Sequence, residues 1–173
     1  LRSVDRAMNA LSERIRGMVA EESRRVEELR RRAQVDPLTD LLNRDSFLAG
    51  VAAQLAREHG AGAGTLGVLR VNVLTELNQT IGRNATDQFL RSLGLALKQI
   101  IGANPGWIGG RLNGADFALL APGEVDANAV LEHLLAASHR ATNRPDAGPG
   151  SMLPIGATPY LPGEPLAKLL ARM

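Results

Sequence analysis

The side chains able to do chemistry are few and scattered along the chain. The histidines His59, His133 and His139 lack metal-ligand spacing, and His133 and His139, six residues apart, do not share a helical face. Cysteine is absent, which removes thiolate metal sites and disulfide frameworks and suits a reducing compartment. No Gly-x-Ser-x-Gly element is present. The run Gly60-Ala61-Gly62-Ala63-Gly64 lacks both the Gly-Lys-Ser/Thr ending and the preceding strand of a phosphate-cradling loop, and reads as a plain connector. Glu124 and Asp126 flank a turn and suit the capping or solvation of a helix. The densest signal is Asn113-Gly114-Ala115-Asp116-Phe117. Here an Asn-Gly pair separates two apolar runs, Trp107–Leu112 and Phe117–Ala121, and predicts a β-hairpin with one carboxylate at its turn. Asn78 and Asp87 are further polar candidates, although Asn before a turn and Asp in a first helical turn are also ordinary structural choices.

The elements that must position these residues follow from periodicity. Asp36-Pro37 ends a long N-terminal helix, because proline fixes φ and disfavours helix at the residue before it. A helical pattern follows around Phe47, Leu48, Val51, Ala52, Leu55 and Ala56. Thr65–Leu74 reads as a buried strand and Thr75–Ile81 as a short helical turn. Asn84 is a candidate cap for a long helix with Phe89, Leu90, Leu93, Ala96, Leu97, Ile100 and Ile101 on one face. After the hairpin come a helix over Asp126–Arg140, a Pro/Gly-rich loop over Thr142–Ser151, a strand over Leu153–Tyr160 and a last helix from Pro165 to Met173. Strands alternating with helices around one hairpin predict an α/β sandwich with a mixed sheet.

The N-terminal segment is different in kind. Val4, Met8, Leu11, Ile15 and Met18 recur at intervals of four, three, four and three, a heptad seam. Glu22, Val26, Leu29 and Ala33 extend it only if four residues are inserted, a stutter that locally unwinds a coiled coil. A lone helix with so narrow a stripe is poorly stable in water, so a parallel homodimer is the expected solution. The alternative is an amphipathic helix lying on its own domain. Residues 1–33 carry nine Arg against six Asp/Glu, leaving the remainder slightly acidic. The globular part thus has no excess positive charge for a nucleic-acid backbone, and Arg30-Arg31-Arg32 is balanced by Glu27-Glu28 on the same helix. No apolar run approaches the roughly 18 residues of a membrane span. The chain starts at Leu1 and stops inside a helical pattern, as expected of a piece of a longer protein: a signalling helix over 1–35 and a domain over 36–173.

Three motifs in order carry a resemblance to the GGDEF family of bacterial domains, which condense two GTP into cyclic di-GMP. Asp36-Pro37-Leu38-Thr39-Asp40-Leu41-Leu42-Asn43-Arg44 is similar to the family's Asp-x-Leu-Thr-Gly-Leu-x-Asn-Arg opening, with Asp40 for glycine, a residue that tolerates left-handed backbone. Asn78, Gly82 and Asp87 match its Asn-Asp-x-x-Gly-His-x-x-Gly-Asp segment, with departures at Gln79, Arg83 and Thr86. The hairpin resembles the Gly-Gly-Asp/Glu-Glu-Phe signature. The resemblance implies a nucleotidyl-cyclase-like sheet flanked by helices.

It also implies where the chemistry has been lost. The family's Asp-x-Asp-x-Phe-Lys segment aligns with Arg70-Val71-Asn72-Val73-Leu74-Thr75, so Arg70 stands where one metal Asp is expected. Ala115 stands in place of the hairpin's metal carboxylate, and Asp116 alone keeps one. A unit charge pair at about 4 Å is worth about 4 kcal/mol at an effective dielectric of about 20, so an arginine here opposes a divalent ion strongly. No catalytic residue, metal or cofactor is expected. The family's Arg-x-x-Asp product site falls on Asn104 and Trp107, so this chain is not expected to bind cyclic di-GMP. Asn78 and Asp87 match the pair that reads a guanine edge. Ala7–Ile15 resembles the end of a HAMP relay helix. Helix and hairpin together look most like LapD-type receptors, membrane-bound cyclic di-GMP sensors in which a downstream EAL domain holds the ligand. This implies the cytoplasmic portion of a bacterial inner-membrane protein. Alternatives are the regulatory half of an active EAL phosphodiesterase, with or without GTP sensing, and a weak diguanylate cyclase.

Overall fold

The computed structural model describes residues 2–57, 63–142 and 153–172. His59, the Gly60–Gly62 part of the connector, most of the Thr142–Ser151 loop and Met173 lie outside them. The chain divides into two compact units, Leu1–Gln34 and Val35–Met173.

The first unit is one helix, α1 (Arg2–Gln34). Its interior lacks proline, and its first and last turns carry Asp5 and Arg31/Arg32, which complement the helix dipole. Glu28 accepts from Arg31 at 3.2 Å and from Arg32 at 2.9 Å, the spacing at which helix neighbours meet.

The second unit carries α2 (Arg44–Leu55), β1 (Gly64–Arg70), α3 (Leu74–Thr80), α4 (Arg83–Ala103), β2 (Ile108–Arg111), β3 (Asp116–Pro122), α5 (Ala127–Thr142), β4 (Ile155–Tyr160) and α6 (Leu166–Leu170). The sheet order is β2-β3-β1-β4. Every named strand pair is antiparallel, whereas the sequence pattern predicts a mixed sheet. The reason is that β3 separates β1 from β2 and β1 separates β3 from β4, so no two strands that run the same way are neighbours. Parallel pairing survives in the isolated bridge between Leu42 and Gly110, which closes the outer edge of β2 through Leu42 N–H to Gly109 (3.1 Å) and Arg111 N–H to Leu42 (2.9 Å).

Strand alternation divides the core between two faces of the sheet. Leu69, Phe117 and Leu119 pack with Leu90, Leu93 and Leu97 of α4 and Val130 and Leu134 of α5. Leu66, Ala118 and Leu120 pack with Phe47, Val51 and Leu55 of α2 and Leu169 of α6. Helices thus flank both faces of an α/β domain.

Three boundaries differ from the sequence reading. β1 ends at Arg70 rather than Leu74, because its partner strand gives out: the Val71 amide makes one last in-register bond, to the Ala115 carbonyl at 2.8 Å, and beyond it lies the hairpin loop. Leu74 instead starts α3. The N-cap of α4 is Gly82, not Asn84; its φ of 82° is a backbone setting that glycine adopts without strain. In the hairpin, neither Asn113 nor Gly114 has positive φ, so the turn is not the two-residue form that Asn-Gly suggests. It is a three-residue loop closed by Leu112 N–H donating to Asp116 O at 2.7 Å. Asp40, in the opening motif, takes φ 56°, the left-handed setting that its family counterpart fills with glycine.

Candidate functional site

The hairpin turn is built by Asn113. Its Oδ1 accepts from the Ala115 and Asp116 amides at 2.8 and 2.9 Å, an Asx turn, and its Nδ2 donates to Asp116 Oδ2 at 2.7 Å. The β1–β3 register sets Arg70 directly opposite Asp116. There the guanidinium grips the carboxylate with both arms, Nε to Oδ1 at 2.5 Å and Nη2 to Oδ2 at 3.0 Å. The Asp116 side chain is 14% exposed and that of Arg70 60%. The hydrogen bonds from Arg70 hold the Asp116 carboxyl below the ordinary range; partial burial opposes them, and Asn113 and the Arg70 charge reinforce them. Reciprocally, the bond to Asp116 raises the Arg70 pKa.

These contacts decide what the position can do. Magnesium needs several hard oxygen ligands in near-octahedral array. At this turn the one carboxylate already accepts three hydrogen bonds, Ala115 offers a methyl group, and the Arg70 guanidinium covers both oxygens of that carboxylate. The residues present do not fit a magnesium site. Among the described residues no group of three or more His, Asp or Glu side chains is placed to hold a metal.

A second arginine braces the hairpin from the other side. Arg111 on β2 donates to the Gly114 carbonyl at 2.9 Å and to both oxygens of Asp36 at 3.2 and 3.3 Å, and its guanidinium carbon lies 5.7 Å from the Phe117 ring centroid. Asp36 also accepts from the Thr39 hydroxyl at 2.7 Å and the Thr39 amide at 2.9 Å. Burial pushes the Asp36 pKa up, but the two Thr39 bonds and the Arg111 charge outweigh it and hold the carboxyl below its usual range. Asp36 and Arg111 thus tie the opening motif to the signature turn, a link between segments 75 residues apart that no local sequence pattern reveals.

The remaining candidates are dispersed. Asn78 lies exposed on α3 and Asp87 half-buried on α4, and neither side chain forms a hydrogen bond among the described residues. Beside them is an apolar pocket of about 220 Å³ bounded by Leu77, Ile81, Phe89 and Leu153, whose lining includes neither. At the product-site positions, Asn104 ends α4 by donating to Ile100 O at 2.8 Å. Trp107 is buried and meets His133 edge-on, with ring centroids 5.3 Å apart. His133 is therefore a packing partner.

A β-α-α-β-β-α-β domain whose central hairpin bears a signature turn defines the class to which the opening, middle and hairpin motifs point. The GGDEF family, described as "Diguanylate cyclase, GGDEF domain", matches residues 33–172, and the chain belongs to it. No curated protein matches. Among solved structures, the coiled coil and GGDEF domain of DgcB from Caulobacter crescentus, in complex with c-di-GMP, is 26% identical with TM-score 0.74, over 94% of this chain and 89% of that one. The S helix-GGDEF-EAL fragment of Vibrio cholerae LapD, bound to c-di-GMP, has the same fold with TM-score 0.72 at 21% identity, over 88% of this chain and 35% of that one. Diguanylate cyclase SiaD from Pseudomonas aeruginosa, in complex with its activator SiaC, has TM-score 0.66 at 24% identity, over 99% and 72% of the two chains.

Proposed function

We propose that this domain makes no cyclic di-GMP and serves as a regulatory and dimerisation relay in a receptor of LapD type. The observation that carries the reading is the Arg70–Asp116 pair. The one carboxylate left at the signature turn is engaged by a cation from the chain itself, so the site offers a divalent ion neither charge nor open oxygens. Phosphoryl transfer depends on such charge neutralisation around the triphosphate. A GGDEF domain without it still has a shape and a preceding helix with which to transmit a state, provided two arrangements differ in their contacts. The parent would place this domain in the cytoplasmic portion of an inner-membrane protein, with a HAMP-type helix before it and an EAL domain after it that binds the dinucleotide. It would pair with a second copy through α1 and bind no nucleic acid.

Incubation of the purified protein with GTP and Mg²⁺, followed by chromatography of the products, tests the catalytic half. The expected result is no cyclic di-GMP above a protein-free control, for wild type and for Ala115→Asp alike, because Arg70 remains in the variant. Steady turnover by the wild type overturns the reading. Calorimetry with cyclic di-GMP is expected to show no binding at micromolar concentrations, since Asn104 caps a helix and Trp107 is built into the core.

A further inference from the structure

The seam of α1 contains one polar residue. From Val4 to Ala33 it advances by four, three, four, three, four, four, three and four residues, and every position is apolar except Glu22, which sits between the two consecutive fours. The large apolar side chains of this seam are exposed by 39% (Val26) to 66% (Met18). Some nearby charges are paired within the helix, Glu21 with Arg24 at 3.5 Å and Glu28 with Arg31 and Arg32, while Glu27 and Arg30, which lie off the seam, form no ion pair among the described residues. Glu22 and Arg25 are both exposed and form no ion pair or hydrogen bond among the described residues.

We infer, building on the reading of α1 as a dimer helix, that Glu22 and Arg25 form an interchain polar layer in a parallel, in-register pair: each copy's Glu22 carboxylate accepts from the other copy's Arg25 guanidinium, twice by symmetry. A carboxylate inside an apolar seam is costly unless paired, and in register two of them face each other. Arg25 borders the seam beside Val26, about 4.5 Å further along the axis than Glu22. Helical side chains lean toward the N-terminus, so its long arm covers the level of Glu22. Direction follows from the length of the seam. Its intervals from Leu11 to Ala33 read the same in both directions, so an antiparallel pair centred on Glu22 also aligns them, but it leaves Val4 and Met8 without counterparts. The parallel pair covers all nine positions. A single polar layer of this kind fixes register and direction at some expense of stability, and places the salt-sensitive point of the helix pair at the stutter.

The chain has no cysteine, so single-cysteine variants report geometry cleanly. Under mild oxidation the full chain carrying Met8→Cys or Met18→Cys is expected to form a disulfide-linked dimer in both cases. An antiparallel pair sets Met18 against Val26 and links neither, which would overturn the inference. Sedimentation then gives the dimer Kd. Glu22→Arg alone and Arg25→Glu alone are each expected to weaken the dimer about tenfold or more, since two attractive pairs become repulsive. The double exchange is expected to restore it. Singles without effect, or a double variant as weak as the singles, would reject the polar layer while leaving the dimer reading intact. A wild-type chain that is monomeric at tens of micromolar would instead reject the dimer reading itself, and the layer with it.

Discussion

Asp116 is a carboxylate engaged by the chain itself, through Arg70 and Asn113. Two aspartates of this domain, Asp116 and Asp36, have pKa values below the ordinary range. A depressed folded-state pKa contributes stability that is fully present above the unfolded value, about 3.9, and is lost as pH falls through the folded one. Arg70→Gln removes the main cause of the Asp116 shift. Its stability deficit relative to wild type is therefore expected to be largest near neutrality and to shrink as pH falls below about 4. Urea midpoints across pH would show this, and a deficit independent of pH would count against a charge-based clasp. For Asp36, the side chains of the pair are 19% and 12% exposed, so Asp36→Ala strands the Arg111 guanidinium and two Thr39 donors in a partly dry site. A loss of about 2 kcal/mol is expected, below the range for a fully buried pair because some water reaches this one. Unchanged urea unfolding would mean that Arg111 is held by Gly114 and Phe117 alone.

Helix α4 shows how local preference and packing can be set against each other within one element. A Cβ at Gly94 would lie 2.7 Å from Thr39 Cβ and 2.9 Å from its carbonyl oxygen, whereas at Gly102 it would meet nothing within 4 Å. Alanine is favoured over glycine in a helix by up to about 1 kcal/mol. Gly102→Ala is therefore expected to raise the thermal midpoint slightly. Gly94→Ala is expected to lower it, because overpacking costs roughly 1–3 kcal/mol and the opposing backbone cannot move cheaply. If both substitutions stabilise, the close approach of α4 to the opening motif is wrong. The helices were legible in the sequence because their apolar residues repeat over many turns, as Leu90, Leu93, Leu97 and Ile100 do here. The end of β1 was not, since Val71 and Val73 have the β-branched look of strand while the partner strand stops at the hairpin loop, one in-register bond beyond Arg70. The antiparallel sheet depends on β3 coming between β1 and β2 and on β1 coming between β3 and β4, a fact about chain path with no local signature. For the site, the hairpin and the foreign cation at Arg70 could both be read in advance. That Arg70 and Asp116 would neutralise each other needed the strand register.

For the whole molecule, a self-sufficient unit and a dependent one are joined at residue 35. The α/β unit buries its own apolar side chains on both faces of a sheet. Helix α1 buries almost none, with Val4, Met8, Leu11, Ile15 and Met18 all more than half exposed. No described helix is long and apolar enough to cross a membrane. Covering a large aliphatic side chain is worth roughly 1.5–3 kcal/mol, so five such layers can hold two copies together against the entropy of association. The full chain is accordingly expected to be dimeric in light scattering at tens of micromolar, and a chain beginning at Asp36 to be a folded monomer with the same thermal transition in its sheet domain. Leu11→Glu with Ile15→Glu is expected to reproduce the truncation while leaving the domain intact. A dimer that survives truncation would move the interface to the α/β unit. A dimer that survives both glutamates would reject the seam as the surface that pairs.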